Sequence, residues 1–95
     1  MQQRRVRRIE PRDPGGEPVC LLTPEGARSR RVPIDRLLTH GNLETTGVGY
    51  EVQLPPGEEY WALANDFAEE EAECCAALAI EVEERDTGIV LRASF

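Results

Sequence analysis

The chain has no lysine, one histidine and three cysteines among its 95 residues. Each scarcity closes off some chemistry. All eleven basic residues are arginine, which reads as a compositional bias rather than a mark of function. His40 is the only histidine, and no Cys-x-x-Cys spacing occurs, so no motif supplies a histidine-activated or redox-paired thiol. An odd cysteine count argues against a closed disulfide framework and fits a reducing compartment. No apolar run approaches the ~20 residues of a membrane-spanning helix. The basic start of the chain is not followed by the apolar stretch of a secretory signal. The expectation is a cytoplasmic protein without a membrane partner.

Charge is plentiful but unevenly placed. Residues 1–39 hold nine arginines and five acids (+4), residues 40–95 two arginines and thirteen acids (−11), and the net is −7. The acidic part should repel nucleic acid, which makes nucleic acid an unlikely partner. The cluster Arg4, Arg5, Arg7, Arg8 could touch phosphate or an acidic partner. No aromatic or helical pattern organises those arginines, so the plainer reading is a solvated segment. Pro11, Pro14, Gly15, Gly16 and Pro18 extend it. The expected organisation is a disordered Arg/Pro/Gly-rich tail over 1–18 and one α+β domain over 19–95.

Within that domain, Val19-Cys20-Leu21-Leu22 is the first apolar run. Thr23 and Pro24 follow as N-cap and first helical position. The helix they open runs to His40 with a kink, or begins afresh at Pro33; Ile34, Leu37 and Leu38 give it an apolar side and Gly41 stops it. A short strand over Leu43–Thr46, a Gly47-Val48-Gly49 turn and an alternating strand over Tyr50–Leu54 make a hairpin. Pro55-Pro56-Gly57 ends it. From Glu58 to Cys75 the spacing predicts the strongest helix, with Tyr60, Leu63, Phe67, Cys74 and Leu78 on one stripe and Ala64 beside it. Leu78, Ile80 and Val82 then alternate with polar residues, Arg85-Asp86-Thr87-Gly88 turns, and Ile89, Leu91, Ala93 and Phe95 alternate again. The order α-β-β-α-β-β predicts a four-stranded antiparallel sheet with two helices on one face. The uncovered face, partly apolar through Val48, Ala79 and Val90, predicts a homodimer.

The one constellation with chemical reach is Cys74-Cys75 at the end of the long helix, with Glu69, Glu70, Glu71 and Glu73 just upstream. A helix C-terminus and four glutamates raise a thiol pKa and disfavour a thiolate nucleophile. A disulfide within the pair is disfavoured too, because adjacent Cα atoms stand ~3.8 Å apart against the usual ~4.4–6.8 Å; Cys20 could bridge either cysteine if the fold brings it near. The same negative field favours a bound cation, which itself deprotonates thiols. Three thiolates suit a soft ion such as zinc, copper(I), mercury or trivalent arsenic. Side chains of neighbouring helical residues diverge by about 100°, so both thiols face one ion only if the helix frays at Cys74. Glu71 lies near the middle of the apolar stripe, within reach of both cysteines, and needs a partner such as Arg36 or Arg92. The competing view is that cysteine here is a small buried hydrophobe.

Glu71-x-x-Cys74-Cys75 followed by Leu78-x-Ile80-Glu81-Val82 resembles a group of small bacterial proteins carrying Glu-Arg-x-Cys-Cys-Pro-Phe-Leu before a strand. Cys20-x-Leu22-Thr23-Pro24 resembles the start of the same group, and the likeness covers residues 19–95. Ala76-Ala77 stand where that group has Pro-Phe, and Ala72 where it has arginine. The resemblance implies no particular reaction, but it groups Cys20, Glu71, Cys74 and Cys75. The element order also resembles that of pterin carbinolamine dehydratases, whose paired histidines follow the long helix about where Cys74-Cys75 stand. This chain lacks those histidines, so that dehydration chemistry does not carry over.

The leading expectation is a thiol protein that binds a soft metal or metalloid ion through Cys20, Cys74 and Cys75, with Glu71 as ligand or proton acceptor. The runner-up is a non-catalytic interaction module with core cysteines, and the third a small enzyme with a helix–sheet pocket.

Overall fold

The computed structural model describes residues 5–12, 34–75 and 77–94. Chain order is β1 (Val6–Ile9), α1 (Ile34–His40), β2 (Asn42–Thr45), β3 (Gly49–Leu54), α2 (Glu58–Cys74), β4 (Ala79–Arg85) and β5 (Gly88–Ser94). The strands form one antiparallel sheet in the order β1-β4-β5-β3-β2. The two hairpins lie where the alternating segments predict them.

Register explains the core. Val52 and Val82 both pair with Leu91, Leu54 pairs with Ile89, and Ile80 pairs with Ala93. Directly opposed residues project to one face, so these apolar positions line up on the same side of the sheet. Ala64, Phe67 and Ala68 of α2 and Leu37 of α1 close over that side. Both helices therefore cover one face, in an α+β fold.

Helix α2 follows from its composition. Residues 58–74 contain no β-branched side chain, and Glu58 and Glu59 stand in the first turn, where the helix dipole favours acid. Gly57, after two prolines, takes φ 142° and opens the helix. At the other end Cys75 leaves with extended backbone, φ −122° and ψ 95°. Its N–H donates to the Glu71 carbonyl (2.8 Å), and its own carbonyl accepts from the Leu78 N–H (3.1 Å), so one residue ends the helix and starts the turn into β4.

The sheet has five strands, not four, because Val6–Ile9 forms an edge strand inside the segment expected to be tail. The rest of that segment, 1–4 and 13–18, lies outside the described residues, as do the apolar run 19–22 and the helix start at Thr23. The physical reason for β1 is charge pairing rather than apolar alternation. Arg5 donates to Glu58 (2.9 and 2.6 Å) and Glu84 (3.3 and 2.7 Å), and its guanidinium lies 4.5 Å from the centre of the Trp61 ring. Arg7 donates to Asn65 (3.1 Å) and Glu69 (2.7 Å). Arg12 donates to the carbonyls of Ala72 (2.7 Å) and Glu73 (2.9 Å) in the last turn of the helix. The arginines thus staple β1 along the length of α2.

The opposite face of the sheet is charged. Arg8 donates to Glu81 (2.8 Å), Arg92 to Glu51 (3.4 Å), Glu81 (3.3 Å) and Glu83 (3.4 Å), and Arg85 to Glu83 (3.0 Å). Val90 sits among these groups and is only 7% exposed. Of the three residues expected to make this face apolar, only Val48 is well exposed, and it belongs to the turn before β3.

Asp86-Thr87 form the two-residue turn between β4 and β5, with Arg85 opposite Gly88. Gly88 has φ 154°, and a Cβ there would meet the Leu54 carbonyl oxygen of the neighbouring strand. Gly88→Ala is expected to destabilise the domain by ~1–3 kcal/mol, the usual size of enforced backbone strain. Urea unfolding checks this, and an unchanged midpoint would contradict the close approach of β3.

Candidate functional site

The grouped positions meet, as far as they are described, at the C-terminal end of α2. Cys75 is 9% exposed and belongs to the apolar core. Glu71 stands one turn earlier and is half-buried. Its carboxylate accepts a hydrogen bond from the Tyr50 hydroxyl at 2.7 Å. Neither Arg36 nor Arg92, the partners expected from the sequence, makes this bond. Arg92 lies on the opposite face of the sheet, bonded to Glu51, Glu81 and Glu83. Arg36 borders a cleft between the helices. Cys74 is the last residue of α2, but its side chain lies outside the described residues, as does the whole of Cys20. Among the described residues no group of three His, Cys, Asp or Glu side chains could hold a metal ion.

Two contributors to this site escape a sequence reading. Tyr50 begins a strand, and only the β3–β5 register, with Tyr50 opposite Ala93, turns its ring toward α2. Arg12 reaches the helix end from a segment without periodicity. Its cation is held by the Ala72 and Glu73 carbonyls, beside the acidic run.

His40 is placed elsewhere. It closes α1, and its ring meets Tyr60 edge-on at 5.6 Å. Tyr60 and Cys74 stand fourteen residues apart on α2, about 21 Å along the axis. His40 is therefore too far away to serve as a base for Cys74 or Cys75. It lines a cleft of about 300 Å³ with Arg36, Glu59, Tyr60, Leu63 and Asp66. Phe67 of α2 and Leu91, Val82 and Val52 of the sheet are all fully buried in the layer between them.

Among the described residues, the seam between β1 and α2 gathers several ion pairs around Arg5 and Arg7. Hydrogen bonds from Arg5 hold the carboxyls of Glu58 and Glu84 below the usual carboxylate range, and Glu58, then Glu84, raise the Arg5 guanidinium. A depressed carboxyl stabilises the fold above its ordinary value of 4.5, and that contribution is lost as pH falls through the lower folded value. Acidification below about pH 4.5 is therefore expected to loosen β1 and change the emission of Trp61, the only tryptophan. The Arg5→Ala variant should not show this change. An identical acid response in that variant would refute the assignment.

The chain matches no protein-family model, no curated protein and no solved structure. Among the described residues, no helix is long and apolar enough to cross a membrane.

Proposed function

We propose that the chain binds a soft metal or metalloid ion at the C-terminal end of α2, through Cys20, Cys74 and Cys75, with Glu71 as ligand or proton acceptor. The observation that carries this reading is the place where α2 stops. Cys74 is its last residue and Cys75 is already extended, so the two cysteines are not bound to the ~100° divergence of helical neighbours. Glu71 stands one turn back, with its carboxylate oriented by Tyr50. Helix dipole and nearby glutamates oppose a free thiolate and favour a cation, and thiolates favour a soft one.

A second reading rests on the burial of Cys75 in the apolar core, which supports an interaction module with structural cysteines. Titration of the reduced full-length protein with zinc, copper(I), mercury(II) or arsenite, followed by native mass spectrometry, separates the two. One ion per chain is the expected result. Glu71→Gln should weaken binding by ~10–100-fold, as loss of a supporting group does in metal sites, and leave the circular dichroism unchanged. Failure to bind any of the four ions would leave the cysteines as core.

A further inference from the structure

We propose that the seam between α2 and the edge of β4 is a recognition groove for an extended segment of a partner protein carrying arginine at alternate positions. In this structure the chain's own residues 5–9 occupy it.

The groove has both parts of a strand-addition site. The β4 edge supplies backbone pairing, with Val6 opposite Glu83, Ile9 opposite Ile80 and the Glu84 N–H donating to the Arg5 carbonyl at 2.8 Å. The wall supplies side-chain pockets two residues apart. Glu58, Glu84 and the Trp61 ring receive Arg5, and Asn65 with Glu69 receives Arg7. A fork of guanidinium donors over an aromatic face reads arginine rather than lysine.

Residues 5–9 behave as a tethered ligand of this groove. Among the described residues, the side-chain hydrogen bonds of Arg5, Arg7, Arg8 and Arg12 fall on residues 58–84. β1 lies at the edge of the sheet and pairs with β4 alone among the described strands. Beyond the backbone pairing and the contact of Ile9 with the core, its side-chain hold is ionic and screened by salt: the Arg5 and Glu58 side chains are 39% and 76% exposed, and Val6 is 50% exposed. A partner segment competes with a local strand concentration on the order of mM, and it is favoured by the acid of residues 40–95.

The test uses the full chain and a synthetic peptide of residues 4–10, with a control peptide carrying alanine at the positions of Arg5 and Arg7. In the Arg5→Ala/Arg7→Ala protein, the native peptide should shift Trp61 emission and bind about tenfold more tightly than the control. The wild-type protein should bind it more weakly, because its own strand competes. In case that variant does not fold, hydrogen exchange on the wild type gives a second reading: excess peptide should speed exchange at residues 6–9 while 79–85 stay protected. Equal binding of both peptides, or exchange at 6–9 that the peptide leaves unchanged, would overturn the proposal. Displacement of the strand by a second copy, seen as a concentration-dependent dimer in sedimentation with the same exchange pattern, would overturn the choice of a different protein as partner.

Discussion

Replacing Phe67 by alanine is expected to remove about 3–5 kcal/mol of stability, the range for buried aromatic truncation. Phe67 is 0% exposed and sits mid-way along α2, above Leu91, Val82 and Val52 of three adjacent strands. The buried cluster it belongs to draws on α1, α2, β3, β4 and β5, so truncating it leaves a cavity in a close-packed layer. A domain of this size has a total stability of ~5–15 kcal/mol, so the loss is a large share of the whole. The midpoint of thermal unfolding should fall by on the order of 20 °C. Phe67→Leu, which retains most of the volume, should lose less. Circular dichroism during heating decides the matter, and a shift of Phe67→Ala smaller than that of Gly88→Ala would mean that the ring is not central.

Alkylation of Cys75 in the native, metal-free protein should be at least ~10²-fold slower than that of a free thiol of pKa ~8.5. Two causes act together. The thiol is packed in the core, so reagent reaches it only when the end of α2 opens. When it does open, nearby glutamates and the helix carbonyl end still oppose the thiolate. Peptide mapping after timed exposure to iodoacetamide, with fragmentation to separate Cys74 from Cys75, measures the effect. Phe67→Ala should erase much of the protection by raising the open population. A native rate within a few-fold of the free thiol would revive a nucleophilic cysteine and count against the burial that the core assigns to it.

The two predictions concern regions of different readability. Phe67 falls on the core because the 3.6-residue stripe of α2 puts it there, and β3, β4 and β5 follow from alternation over 50–54 and 79–94. These signals are local, since each residue's neighbours in sequence are its neighbours on the element. The positions of Glu71 and Cys75 near the end of that helix are local facts as well. Their surroundings are not. Glu71 accepts from a tyrosine 21 residues away, brought opposite by strand register. The helix stops one residue before the expected Cys75, where the turn into β4 takes over and Arg12 caps the last carbonyls from far outside the helix.

Strand β1 marks the limit most clearly. Of its two inward positions one is arginine, so no apolar period announces a buried face, and Pro11 to Pro18 after it reads as linker. The groups that make it a strand are acids 53 to 79 residues further along. Periodicity fixes which residues of a segment share a side, and it fixed the two hairpins, the long helix and their common apolar layer. Which charges meet, where a fifth strand adds to the sheet, and what the two cysteines face depend on contacts between distant parts of the chain. Coulomb attraction and hydrogen bonding between such parts leave no repeating trace in the order of residues, and only folding brings the partners together.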